Sequence, residues 1–255
     1  MRYHIDTIPV WDAIKLEGDC LFCALRRKTE LGETERYLGA SVMEPDIRIK
    51  VNAKGFCAKH QRMLFGFENR LGHALLLQTH LAETTGKVLR TQENLRKEQK
   101  GGLSGLLKAK AEQKSGFRAA AAEIRKLSEG CVLCDSISES MARYVHTFFH
   151  LYQNDAEFRK RFLDSKGVCL EDMALLLETA GDELSSKDAQ AFAAQLYSLQ
   201  EKSLATLQED VDWFIKKFDY RFKAEPWKNS KDAVERGVNK LQGWCVGKEP
   251  NPKET

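Results

Sequence analysis

A chain of 255 residues can bury one large core or two smaller ones, and its 40 basic and 37 acidic side chains are too evenly matched to demand a polyanionic partner. No apolar run approaches the length of a membrane span, and Met1-Arg2-Tyr3-His4-Ile5-Asp6 is no signal peptide, so a cytoplasmic chain without a membrane role is expected. In that compartment seven cysteines serve metal or redox chemistry rather than disulfides, and five prolines among abundant Ala, Leu, Glu, Lys and Gln predict an all-α fold.

In chain order, Thr7 is set to cap a short helix with Pro9 in its first turn and Ile8, Trp11 and Ile14 on one face. Cys20-Leu21-Phe22-Cys23 follows, heading a helix predicted over residues 24–38 and ended by Gly39. Backbone N–H groups at such a helix start help keep thiolates ionised. Residues 43–52 read as an extended link, because Ile47, Ile49 and Val51 alternate and Pro45 intervenes. Gly55 offers a tight turn, and Cys57 and His60 then open a long helix carrying Met63, Leu64, Phe67, Leu71, Leu75 and Leu81 at three- and four-residue steps.

Beyond Arg90 the character changes. Arg96, Lys97, Lys100, Lys108, Lys110 and Lys114 gather while Gly101, Gly102 and Gly105 interrupt the helical pattern, so residues 96–118 read as a basic junction. A helix over 119–127 leads to Cys131-Val132-Leu133-Cys134, and another over 137–152 carries Met141, Val145, Phe148 and Phe149. Gly167 turns the chain into Cys169. Ser185 and Asp188 form a capping-box pair for the longest helix, with Phe192, Leu196 and Leu199 on its apolar face. The run Lys217-Phe218-Asp219-Tyr220-Arg221 precedes a last helix over 231–241, and residues 246–255 read as a disordered tail.

The ligand-type residues recur. Cys20 and Cys23 are answered after 33 residues by Cys57 and His60, and Cys131 and Cys134 after 34 residues by Cys169 and Asp172. The approach repeats too, Glu17-Gly18-Asp19-Cys20 beside Glu129-Gly130-Cys131. This spacing predicts an internal duplication: two related helical halves, residues 1–95 and 119–245, each built around its own metal site. The first site, Cys20, Cys23, Cys57 and His60, is a closed ligand set suited to structural Zn²⁺, with an iron–sulfur cluster as the alternative. The second, Cys131, Cys134, Cys169 and Asp172, carries an oxygen ligand. Asp172 completes the site, or water or a thiol takes its place, or the thiols stay reduced and empty. The oxygen predicts a weaker, more exchangeable ion.

The Cys-x-x-Cys pair, the Gly55-Phe56-Cys57-Ala58-Lys59-His60 turn and Lys217-Phe218-Asp219-Tyr220-Arg221 resemble an uncharacterised family of bacterial cytoplasmic proteins, of the kind common in anaerobic Firmicutes. The resemblance covers nearly the whole chain and implies no activity. It implies a His after the second Gly-x-Cys-x-x turn, where this chain has Asp172.

His146 and His150 lie one helical turn apart without the Glu of a His-Glu-x-x-His site, and His73 and His80 read as ordinary core or surface residues. Cys245 is left over beside Trp244. No phosphate loop, nucleophile elbow or dinucleotide fingerprint is present, so the sequence supports no enzymatic reading. Its leading reading is a zinc-stabilised module for a protein or small ligand. The alternatives are soft-metal or thiol handling at Cys131, Cys134 and Cys169, and a nucleic-acid regulator, which the balanced charge argues against. Oligomeric state is not legible, and a dimer stays open.

Overall fold

The computed structural model describes residues 5–16, 18–101 and 106–250, the side chains of 98–113 excepted. Among them are eleven α-helices, two short 3-10 turns and no strand. The helices are α1 (Thr7–Lys15), α2 (Leu21–Leu38), α3 (Pro45–Lys54), α4 (Ala58–Gly66), α5 (Arg70–Gly101), α6 (Leu106–Lys126), α7 (Val132–Asn154), α8 (Ala156–Leu163), α9 (Leu170–Glu183), α10 (Ser186–Lys216) and α11 (Ala233–Gln242).

Local chemistry accounts for the boundaries. Ser185 Oγ accepts the Asp188 N–H at the start of α10, and Asp155 accepts the N–H groups of Glu157 and Phe158 at the start of α8. Gly39 closes α2 with its N–H on the Glu35 carbonyl. Three expectations change. Residues 45–54 are helical, because Pro45 suits the first helical turn and Ile47 and Val51, four apart, are both buried. The helix opened by Cys57 stops at Gly66 and restarts at Arg70, where Asn69 accepts the Gly72 N–H and donates to the Leu38 carbonyl. Asp6 rather than Thr7 holds the cap position of α1, and Ile8 is exposed.

The chain divides into two units. One comprises Glu30–Ser138; the other combines Met1–Thr29 with Glu139–Thr255. These are not the sequential halves 1–95 and 119–245. Of the basic stretch 96–118, residues 96–101 fall in α5 and 106–118 in α6, and these two helices pack on each other inside the continuous unit. Gly102 and Gly105 lie outside the described residues. The continuous unit is built on Tyr37, Leu38, Val42, Ile47, Val51, Leu64, Leu76, Val132 and Leu133. The discontinuous unit has an aromatic core in which Phe148 meets Phe162 edge-on at 4.8 Å and Phe149 meets Phe192 at 5.1 Å.

Candidate metal centres

Four helix starts carry the thiols. Cys20 and Cys131 immediately precede α2 and α7, while Cys57 and Cys169 are the cap residues of α4 and α9 with the same backbone angles, φ −69° and ψ 165°. Two residues before each cap stands a glycine with positive φ, Gly55 at 66° and Gly167 at 77°. Added methyl groups there would meet His80 Nε2 and the Gln200 side-chain oxygen.

In the continuous unit, Cys57, His60, Cys131 and Cys134 converge. His60 Nδ1 lies 3.3 Å from Cys57 Sγ, 3.2 Å from Cys131 Sγ and 3.5 Å from Cys134 Sγ. Cys57 and Cys134 sulfurs are 3.9 Å apart. The far nitrogen, His60 Nε2, faces Glu30 Oε1 at 3.1 Å, and Lys59 Nζ meets the same oxygen at 2.5 Å. Burial alone would lower the His60 pKa, but the Cys131 thiolate and Glu30 carboxylate raise it to about 10. Burial would raise Cys131, yet hydrogen bonds from His60 and the backbone bring it to about 6. Cys134 is exposed and Cys57 half-buried.

In the discontinuous unit, Cys20, Cys23, Cys169 and Asp172 converge, all four buried. The Cys169 sulfur is 4.0 Å from Cys20 and 3.8 Å from Cys23. Asp172 Oδ2 lies 3.2, 3.7 and 3.0 Å from Cys20, Cys23 and Cys169, while Oδ1 takes Arg26 Nη2 at 2.6 Å. Hydrogen bonds from Cys20 and Cys23 hold Cys169 down at about 2, and giving that proton to Cys169 raises Cys23 to about 12. Burial raises Asp172 against the pull of Arg26. Lys240, itself buried, lines the same cavity as Cys20, Cys23 and Cys169.

The eight expected ligands are therefore gathered into two sets of four, but in exchanged pairs. Cys20 and Cys23 lie with Cys169 and Asp172, not with Cys57 and His60. The cause is helix length. With 18 residues α2 spans about 27 Å and carries the chain that far from Cys20 before the turn that leads on to Cys57. Among the described residues, three further histidines are hydrogen-bonded elsewhere: His73 to Gln61 at 2.8 Å, His80 to the Asn52 carbonyl at 3.1 Å and His146 to Glu183 at 2.9 Å. Neither His146 nor His150 belongs to either group of four. Sequence reasoning missed Arg26 and Glu30, which sit one turn apart on α2. Their only signal was a basic and an acidic residue on the helix that leaves Cys23.

Each set can be tested against one ion. Tetrahedral Zn–S bonds of about 2.3 Å separate ligand sulfurs by about 3.8 Å, whereas a disulfide needs about 2.05 Å. The observed separations of 3.8–4.0 Å match the tetrahedral edge, and all seven cysteines are free. The backing of His60 by Glu30 is the carboxylate–imidazole arrangement that orients metal ligands.

The fold and sites define an all-α protein with two four-residue clusters that could each hold a metal ion, one buried throughout and the other exposed at Cys134. A family model described as a family of unknown function, DUF6062, matches residues 1–248, and the chain belongs to that family. No curated protein and no solved structure matches it. Among the described residues no helix is long and apolar enough to cross a membrane.

Proposed function

We propose that each unit is held together by one divalent metal ion, zinc by ligand type, and that the protein is a cytoplasmic module for binding a protein or small ligand. The observation that carries the metal is the tetrahedral spacing of two remote pairs in each cluster. Charge supports it independently. Three thiolates and a carboxylate around a divalent ion leave two negative charges in a buried site, and Arg26 and Lys240 are two cations set against them. A multi-iron cluster would hold its ligands further apart, so a single ion is the better fit. With four protein ligands each, neither cluster leaves a coordination position for substrate, which favours a structural role over catalysis.

Metal analysis of protein purified without added metal tests this: two equivalents of zinc per chain are expected, falling to one in Cys131→Ser. Less than half an equivalent in wild type would end the proposal. The exposure of Cys134 favours a second reading, in which the Cys57, His60, Cys131 and Cys134 cluster passes a soft metal to an acceptor. Metal moving to an apo-acceptor faster than to a small chelator of equal affinity would support that reading.

A further inference from the structure

The buried cluster needs a route for its metal. Cys169 and Asp172 have no exposed surface, and Cys20 and Cys23 are nearly as enclosed. What covers the sulfurs is the segment that the sequence assigns partly to a disordered tail. After α11, Gly243 turns at φ 76°, and a methyl group on it would touch Cys169 Sγ at 3.9 Å and Cys23 Sγ at 4.0 Å. The Trp244 N–H then donates to Cys23 Sγ at 3.3 Å.

From there the segment is tied down at three points. Asn239 Oδ1 accepts the Cys245 and Val246 N–H groups while its Nδ2 donates to the Val246 carbonyl. The Trp244 ring nitrogen donates to the Lys248 carbonyl. Arg27, on the helix that begins at the metal ligands, stacks over Trp244 at 5.0 Å and pairs with Glu249 at 2.8 Å. The segment shares in lining a partly open cavity of about 280 Å³, together with the three cysteines and Lys240.

We propose that residues 243–249 form a gate of the buried metal site: closed, the gate positions Cys23 through the Trp244 N–H and covers the sulfurs; open, it gives Cys23, Cys20 and Cys169 their path to solvent. The ties are polar and lie at the surface, where local opening costs least. An amide donated to a ligand sulfur is also the kind of outer contact that tunes metal affinity. This rests on the metal reading for its purpose but not for its geometry.

The test uses full-length Asn239→Ala/Glu249→Gln. Protein as purified, kept reduced with a phosphine that leaves bound metal in place, is pulsed with iodoacetamide, and labelling of each cysteine is followed by peptide mass spectrometry. A gate predicts that Cys23 and Cys169 label about tenfold faster than in wild type, as about 1.4 kcal/mol of lost closure would produce, while Cys57 and Cys131 keep their wild-type rates. Unchanged rates at Cys23 and Cys169 would overturn the gate. So would equal acceleration at all six cluster cysteines, which would mean that the variant merely loosens the fold. The metal content of wild type, measured separately, decides the metal reading, so the two can fail independently.

Discussion

His60 and Asp172 occupy equivalent places after their cap cysteines, yet each is matched to a different neighbour. His60 has a carboxylate behind it, Glu30, and Asp172 has a guanidinium, Arg26. The sequence reading weighed Asp172 only as an oxygen ligand and left this partner out. Asp172→His is expected to lower the stability of the metal-bound protein by about 2 kcal/mol, less than a fully buried broken pair because Arg26 is partly solvated. Adding Arg26→Glu should restore most of it by recreating the acid–imidazole pair, and denaturant titrations of the single and double variants check both. For His60, Glu30→Gln removes the acceptor that orients the imidazole, and metal affinity of that cluster alone should fall about 10- to 100-fold, measured by competition with a zinc chelator.

At the scale of elements, the same glycine–x–cysteine turn is used twice. Gly55 and Gly167 hold a conformation that side chains disfavour, and the backbone of the cap cysteine two residues on is the same in both. Gly167→Ala should destabilise its unit by about 1–3 kcal/mol, because the strained φ and the collision with the Gln200 side chain act together. Chemical denaturation followed by circular dichroism reads this directly. The elements the sequence misjudged were those whose signals compete. Ile47, Ile49 and Val51 satisfy a strand alternation, and burial of Ile47 and Val51 with Ile49 left exposed resolves it as a helix. At Gly66 to Asn69 the apolar period runs unbroken, but the Asn69 cap and Glu68 at φ 61° end one helix and begin another.

For the whole molecule, the exchange of partners changes what any one ligand controls. Under sequential halves, Cys57→Ser would have loosened residues 1–95. In the structure Cys57 shares its cluster with Cys131 and Cys134 in Glu30–Ser138. Cys57→Ser should therefore remove one equivalent of metal and raise amide exchange across residues 30–97 and 114–138, while the aromatic core around Phe148, Phe162 and Phe192 keeps its protection. Hydrogen exchange read by mass spectrometry distinguishes the two maps. Protection lost evenly across both units would refute the assignment of separate clusters.

Composition, helical period and the repeated spacing of cysteines were enough to predict an all-helical chain and to single out the eight residues that now converge. These signals are local: each helix start lies within a few residues of its thiols, and each turn announces itself by its glycine. Which pair meets which was decided only in three dimensions. It depends on how far α2 and α7 carry the chain before it turns, and on which buried faces then match, Phe22 against Phe148 in one unit and Tyr37 against Phe56 in the other. The partners of the ligands, Arg26, Glu30, Lys240 and the Trp244 amide, were hidden for the same reason. A charged side chain or a backbone N–H becomes part of a metal site only when tertiary packing brings it there and removes the water that would otherwise answer it.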